Sequence, residues 1–167
     1  MINEKYFSTK YAVRKLTNSD IPQIYDLCRK NTTFYQYCPP MVTEESIAED
    51  LTALPPNIQP EAKYFVGFYD ENRLVAILNL IDGYPEEKIA FIGLFMTDTD
   101  TQGKGIGSAI ITELSAYLKS LDYTAIRLAW VKGNPQSEHF WIKNAFSPLR
   151  ESTSPAAEHV ILAERIL

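Results

Sequence analysis

The chain has 167 residues, 46% of them hydrophobic, so we expect a single domain over residues 1–167 that buries a complete core. Its apolar runs reach about eight residues, far below the roughly 20 that cross a bilayer, and residues 1–10 contain no hydrophobic signal region, which indicates a soluble, cytoplasmic protein with no membrane partner. The formal net charge of −5 argues against general nucleic-acid binding and slightly favours cationic ligands.

The first half of the chain predicts one strand, two helices and then three further strands. The predicted elements are a strand at 11–17, a helix from 18–20 to about 30, an aromatic loop at 32–40, a helix from 43 to 55, and antiparallel strands at 63–69, 74–84 and 88–96. The two helix starts are indicated by Asp20 before Ile21-Pro22 and by Thr43 before two acids. A polar turn at 70–73 predicts a hairpin between the strands beside it.

The second half predicts a strand-helix-strand unit followed by shorter elements. Apolar residues at helical spacing predict a helix over 106–120, and residues 125–131 predict the next strand. A short helix after Asn134, a strand near 146–151 and a strand within 159–167 follow. This order predicts an α/β (α+β) fold, a mixed and mostly antiparallel sheet of six or seven strands with helices on both faces.

Three glycines within five positions, Gly103, Gly105 and Gly107, separate the third antiparallel strand from the helix at 106–120. They permit a tight turn with no side chains in the way, so consecutive amide N–H groups can converge on an anion. The positive end of the following helix points to the same place, and Lys104 adds a mobile positive charge. The turn therefore predicts a phosphate-binding site, with a turn that binds no ligand as the alternative.

Two common phosphate-binding loops do not match these residues. The dinucleotide fingerprint needs a glycine at its sixth position, which is Ser108 when counted from Gly103 and Ile110 when counted from Gly105. The nucleoside triphosphate loop needs Ser or Thr after the lysine, but Gly105 follows Lys104. The first assignment is weak and the second fails.

The turn instead resembles a signature of the GNAT superfamily of N-acetyltransferases. Gln102, Gly105 and Gly107 match its Gln/Arg-x-x-Gly-x-Gly/Ala pattern. Residues 134–146 resemble the second signature of that superfamily, Asn-x-x-Ala-x-x-Phe-Tyr-x-Lys-x-Gly-Phe, at four positions: Asn134, Phe140, Lys143 and Phe146. The chain is thus similar to the superfamily over residues 90–147, at both signatures and in the expected order.

The resemblance implies a GNAT-like fold and acetyl coenzyme A as co-substrate. It implies that the pyrophosphate lies on the amides of the glycine turn and that the pantetheine arm follows the strand ending at Thr97, where this strand and the one at 125–131 splay apart. The residues implied for cofactor binding are Phe95, Met96, Thr97, Gln102, Gly103, Lys104, Gly105, Ile106, Gly107, Ser108, Asn134, Phe140 and Lys143. For Asn134 a helix cap is the other interpretation, and for Lys143 a solvated side chain.

The resemblance does not extend to the residues that move protons in many members. Trp141 stands where many members have a Tyr that protonates the leaving thiolate, and Ala129 stands where some members have a Glu base. The catalytic residues are therefore left unknown, with three explanations. In the first, proximity and carbonyl polarisation drive the reaction and water carries the protons. In the second, other groups move the protons, namely the tyrosines of the 32–38 loop, Asp82, Asp98 or Asp100. In the third, the chain binds coenzyme A without transferring acetyl.

The acceptor wall is predicted in the aromatic loop, where Phe34, Tyr35 and Tyr37 offer an apolar or cation-binding surface, with core packing as the alternative. The predicted function is direct acetyl transfer to a primary amine of an unidentified small-molecule or peptide acceptor, without a nucleic-acid partner, and a homodimer is left open. The alternative is a catalytically silent coenzyme A-binding regulatory module. Cys28 and Cys38 are interpreted as free thiols, and no metal site is predicted.

Overall fold

The computed structural model describes residues 1–167, which form one seven-stranded sheet flanked by helices. The strands are β1 Ala12–Lys15, β2 Lys63–Asp70, β3 Arg73–Asp82, β4 Ile89–Thr97, β5 Ala125–Val131, β6 Ser147–Ser154 and β7 Ala157–Ile166. The helices are α1 Ile21–Cys28, α2 Thr32–Tyr37, α3 Glu44–Thr52, α4 Ile106–Ser120 and α5 Pro135–Lys143. None of the helices is both long enough and apolar enough to span a bilayer.

The strands lie in the order β1-β2-β3-β4-β5-β7-β6. Only β4 and β5 run parallel, and every other neighbouring pair is antiparallel. A parallel pair needs a long crossover, which α4 supplies between β4 and β5. The predicted mixed, mostly antiparallel sheet is confirmed.

The sheet separates two apolar cores. On one face, here called the α4 face, α4, α5 and the N-terminal segment bury side chains such as Phe7, Leu78 and Ile111. On the other, the α1 face, α1 and α3 pack over β1 to β3 and bury Ile24 and Ile77. Because α1 and α3 cover the part of that face formed by β1 to β3, the α1 face of β5 is left partly exposed, with half-buried side chains along the strand.

The two central strands pair over only part of their length. Residues 89–92 of β4 pair with residues 125–128 of β5, and beyond that point β4 continues to Thr97 with β3 as its partner. The register of β3 and β4 shifts between Leu80/Ile92 and Asn79/Leu94, so Gly93 is an extra residue in β4. Such a bulge bends a strand and increases its twist, and here it stands where β4 leaves β5.

One prediction about the first half of the chain is wrong. The aromatic segment predicted as a loop over 32–40 contains α2, closed by a hydrogen bond from Cys38 N to Phe34 O of 3.0 Å. Phe34 and Tyr35 pack against the core of the α1 face. This tertiary packing outweighs the weak helix propensity of a segment rich in Thr and aromatic residues.

Candidate active site

Two different structural requirements account for the glycines at positions 103, 105 and 107. Gly103 and Gly105 both have a φ of +78°, which L side chains rarely adopt, and no atom lies within 4 Å of where a Cβ would stand. Gly107 lies inside α4, where a Cβ would come within 3.1 Å of the Phe140 ring. The first two glycines shape the turn beside open space, and the third allows α4 and α5 to approach.

The start of α4 presents unpaired amides at this turn. Gly105 is the N-cap of α4 and no side chain caps the helix. The first intrahelical bond runs from Ala109 N to Gly105 O, so the amides of Ile106, Gly107 and Ser108 have no partner within the helix. Free amides and the positive end of a 15-residue helix dipole make this turn suitable for an anion.

A cavity of about 330 Å³, here called the central cavity, extends from this turn past β4 and α5 to α2. The predicted cofactor residues that line it are Phe95, Met96, Thr97, Gln102, Gly103, Gly105, Ile106, Gly107, Ser108, Phe140 and Lys143. Lys104 and Asn134 do not line it, and of the predicted acceptor residues only Phe34 does. Six further residues without a predicted cofactor role line the cavity: Asn31, Thr101, Gln136, Ser137, His139 and Trp141.

The exposed backbone of β4 faces the gap between the two central strands. Asp98 N donates to Val75 O of β3 at 2.8 Å. Because successive residues of a strand direct their amides to opposite sides, Met96 also faces β3, whereas Phe95 and Thr97 direct theirs into the gap. A chain of amides lying in this gap could pair with β4 as an added strand would.

Two amide side chains connect the glycine turn to the end of α1. Asn31 is 9% exposed, and its Nδ2 donates to Leu27 O at 3.0 Å and to Thr97 O at 3.1 Å. Gln102 Nε2 donates to Asn31 Oδ1 at 2.9 Å. The Gln102 side chain therefore binds protein atoms, and Asn31 joins the turn to the segment that leads into α2. No local motif marks Asn31, since its partners at the glycine turn, Thr97 and Gln102, lie 66 and 71 residues away in the sequence.

A buried carboxylate anchors the start of the same turn. Asp98 lies 2.7 Å from Lys30 Nζ and 3.0 Å from an Arg73 nitrogen, and it accepts a bond from Asp100 N. Burial opposes its ionisation, but these hydrogen bonds outweigh that effect and hold the pKa of Asp98 below its usual value. Asp98 is therefore a weak base, and Asp100 lies 3.6 Å from Lys30 and 3.4 Å from Arg73.

Comparison with known proteins agrees with this geometry. A profile of the acetyltransferase (GNAT) family matches residues 21–146. The chain belongs to this family. The superfamily predicted from the two signatures is therefore confirmed, as are the class of acetyl coenzyme A-dependent N-acetyltransferases and the co-substrate. No curated protein sequence matches the chain.

Solved structures of acetyltransferases share the fold of this GNAT protein. RimL, a ribosomal-protein alpha-N-acetyltransferase, superposes with a TM-score of 0.74 at 21% identity, over 96% of this chain and 92% of that chain. An acetyltransferase from Thermus thermophilus gives 0.73 at 20% identity, over 95% and 97%. A chimera of the spermidine N-acetyltransferase SpeG from Vibrio cholerae and hSSAT gives 0.70 at 17%, over 95% and 96%. At these identities the similarity shows the fold.

Trp141, which replaces the Tyr of many GNAT members, belongs to an aromatic cluster. It is 8% exposed, and its ring centroid lies 5.9 Å from that of Phe95, 4.8 Å from Phe140 and 5.1 Å from Phe146. The cluster forms the wall of the central cavity on the α4 face. Trp141 contributes apolar surface there.

Asn134 of the second GNAT signature acts as a helix cap. It is 2% exposed, its Oδ1 accepts from Ser137 N at 3.3 Å, and its Nδ2 donates to Ser137 Oγ at 3.0 Å. The Asn134 side chain thus fixes the start of α5, whose Ser137 lines the central cavity. Contact between Asn134 and the cofactor stays a prediction.

The predicted acceptor wall lies at the α2 end of the central cavity. Phe34 lines the cavity and makes an edge-to-face contact with Tyr35, with ring centroids 4.9 Å apart. Tyr35 and Tyr37 are half-buried and lie outside the lining. Cys38 Sγ lies 4.0 Å from Ala156 O, so the end of α2 touches the turn between β6 and β7.

Three candidate groups, Cys28, Tyr35 and Asp82, are poorly suited to proton transfer or nucleophilic attack at the gap. Burial raises the pKa of Cys28 to about 11 and also raises the pKa of the Tyr35 phenol beside it. Asp82 accepts a hydrogen bond from Tyr123 and pairs with Ala90, at the opposite end of β4 from the gap. None of these groups is an effective base or nucleophile at the gap.

Proposed function

We propose that this GNAT protein transfers the acetyl group of acetyl coenzyme A directly to a primary amine. The observation that carries the proposal is the course of the central cavity. It begins at the uncapped N-terminus of α4, follows the unpaired end of β4 and ends at Phe34. One cavity can therefore hold an anionic donor at one end and an acceptor at the other.

The residues at the donor end fit a diphosphate. Open space at Gly103 and Gly105 and free amides from Ile106 to Ser108 would hold its oxygens. The Phe95 backbone and the Thr97 N–H would pair with the amides of the pantetheine arm, while Thr97 O already accepts from Asn31. A backbone N–H of β4 in the gap would bond the thioester oxygen and stabilise the charge that develops there, an effect worth about 2.7–4 kcal/mol where single donors were removed elsewhere.

The chain transfers without a covalent intermediate on its own side chains. The acceptor nitrogen forms a bond to the acetyl carbon as the bond to sulfur breaks, the amine loses a proton and the thiolate gains one. Trp141 cannot supply that proton, and Ala129 has no titratable group. We infer that water carries both protons and that orientation of the two substrates, which can be worth several kcal/mol, accounts for most of the rate.

The charges around Arg127, on the α1 face of β5, favour a cationic acceptor. Ile126 and Leu128 lie in the core of the α4 face, so Arg127 and Ala129 face the opposite side. Arg127 lies 2.6 Å from Glu164 and 3.4 Å from Glu86, and these three charges sum to −1. RimL is named for a protein amino terminus and SpeG for spermidine, and both acceptors carry ammonium groups. We propose an acceptor of this charge class.

The rival function is a coenzyme A-binding module that does not transfer acetyl. Trp141 and Ala129 favour it, because the first replaces the Tyr of many GNAT members and the second replaces the Glu base of some. The experiment incubates the protein with acetyl coenzyme A and either spermidine or a peptide with a free amino-terminal alanine. Free thiol release and product mass report transfer, and thermal shift reports cofactor binding.

Amine-dependent thiol release with a product 42 mass units heavier, roughly the mass that one acetyl group adds when it replaces a proton, establishes transfer. Cofactor binding without release from either amine favours the silent module. Absence of a thermal shift with acetyl coenzyme A rejects the donor site itself.

A further inference from the structure

One buried polar side-chain atom in the protein has no hydrogen-bond partner, Oδ1 of Asn79 on β3. Buried polar groups are nearly always bonded, and an exception calls for an explanation. An unpaired buried amide oxygen destabilises the fold, so a leucine of similar shape at this position would give a more stable core. The position of Asn79 suggests a function for the amide.

Asn79 lies on the same side of the sheet as the acceptor wall. Its neighbours Leu78 and Leu80 belong to the core of the α4 face, so the alternation of the strand places Asn79 on the α1 face. Its partner on β2, Phe65, belongs to the core of that face, as does Ile77. Asn79 is thus a single amide in otherwise apolar surroundings.

The amide also lies against the bulge that separates the central strands. A Cβ on Gly93 would stand 3.0 Å from Asn79 Nδ2 and 3.6 Å from its Cγ, so the absence of a side chain at Gly93 leaves room for the amide. Gly93 is exposed and Asn79 is half-buried, so the amide lies near the surface, with Nδ2 beside Gly93 and Oδ1 turned inward. Phe95, whose amide faces the gap, is two residues further, roughly 7 Å along the strand.

We propose that the Asn79 side chain binds the attacking amine of the acceptor. The inference rests on the proposed function and names the group that orients the acceptor. After a half-turn of the amide brings Oδ1 to the side of Gly93, Oδ1 accepts an N–H of the neutral amine, which directs the nitrogen lone pair towards the acetyl carbon in the gap. Asn79 neither gives nor takes a proton, so the carbon–nitrogen bond forms, the carbon–sulfur bond breaks and water carries the protons as before.

The side chains of β4 and β5 that neighbour Asn79 on this face offer no amide or carboxylate group to the amine. On the α1 face, Met96 and Leu94 of β4 are apolar, and Ala129 across the gap carries only a methyl group. A half-turn of the amide about its Cβ–Cγ bond exchanges Oδ1 and Nδ2, so either end can face the ligand. An amide bonds an amine without itself titrating, which suits a site lacking a base.

The test compares Asn79→Leu with Asn79→Asp in the full-length protein. Leucine removes both polar atoms and keeps the shape, so its melting temperature should equal or exceed that of the wild type. Aspartate keeps an acceptor oxygen but buries a charge, so its melting temperature should fall. Activity should follow the reverse order, with Asp retaining more transfer to spermidine or the alanine peptide than Leu.

We expect Asn79→Leu to lower kcat/KM for the amine at least tenfold while the thermal shift with acetyl coenzyme A stays unchanged. Asn72→Leu, in the exposed turn between β2 and β3, is the matched control and should transfer at the wild-type rate. Wild-type kinetics in Asn79→Leu would overturn the inference and leave the proposed function intact, because Asn79 would then only hold a water molecule. Binding of acetyl coenzyme A without transfer by the wild type would overturn both.

Discussion

The two ends of the central cavity are built from different parts of the chain. The donor end consists of backbone, with Gly103 and Gly105 in left-handed conformations and the uncapped start of α4. The acceptor end consists of side chains, above all Phe34 on the six-residue helix α2. A site made of backbone depends on where glycines stand, whereas a site made of side chains can change its ligand by substitution. Donor and acceptor recognition should therefore be separable by mutation.

The largest expected effect comes from Gly105→Glu at the donor end. The substitution forces a left-handed conformation on an L residue, fills the open space and places a negative charge beside the phosphates. We expect affinity for acetyl coenzyme A to fall by about 100-fold or more. Thermal shift and calorimetry with coenzyme A measure the loss.

Gly83→Glu is the matched control for that substitution. Gly83 also has a positive φ, of +65°, with no atom within 4 Å of its missing Cβ, but it lies in the connection after β3. Both variants should lose stability of roughly 1 kcal/mol from the backbone, yet only Gly105→Glu should lose the cofactor. Equal cofactor affinities in the two variants would show that the phosphates lie elsewhere.

At the acceptor end, Phe34→Ala should raise the acceptor KM about tenfold while changing cofactor affinity much less. The ring supplies apolar and quadrupolar surface for an alkylammonium group, and alanine removes it. Steady-state kinetics with each substrate varied in turn provide the measurement. An equal rise in both constants would mean that Phe34 belongs to the donor site, and the two ends would not be separable.

The link between the two ends is tested by Asn31→Ala, with a smaller effect. Loss of its bonds to Leu27, Thr97 and Gln102 should destabilise the fold by about 1–3 kcal/mol. Cofactor affinity should fall by roughly fivefold to tenfold, since one side of the glycine turn loses its support. Asn72→Ala in an exposed turn is the control. Unchanged cofactor affinity would show that the turn holds its shape without Asn31.

The contrast between backbone and side-chain sites also explains how much of the fold and the site could be predicted from the sequence. Glycine spacing and hydrophobic periodicity are local signals, so the turn, α4 and the bounds of β5 at Ala125–Val131 follow from short stretches of sequence. Asn31 and Asn79 carry no such signal, because their significance depends on residues brought to them by the fold. The α2 helix was predicted as a loop for a related reason, since packing of Phe34 and Tyr35 stabilises it.

The smallest expected effect concerns the thiols near the acceptor end. With a pKa of about 11, about one in a thousand Cys28 side chains should be thiolate at pH 8, and the thiol is buried. Cys38 is half-exposed, so a reagent can reach it. We expect a disulfide reagent to titrate one thiol in the native protein and two after denaturation.

Because the pKa of Cys28 in the folded protein lies above the unfolded value of about 8.5, the contribution of Cys28 to stability is complete below that pH and is lost as pH rises towards 11. A Cys28→Ala variant should lose this alkaline dependence and leave one native thiol, and two reactive thiols in the folded wild type would show that α2 opens readily.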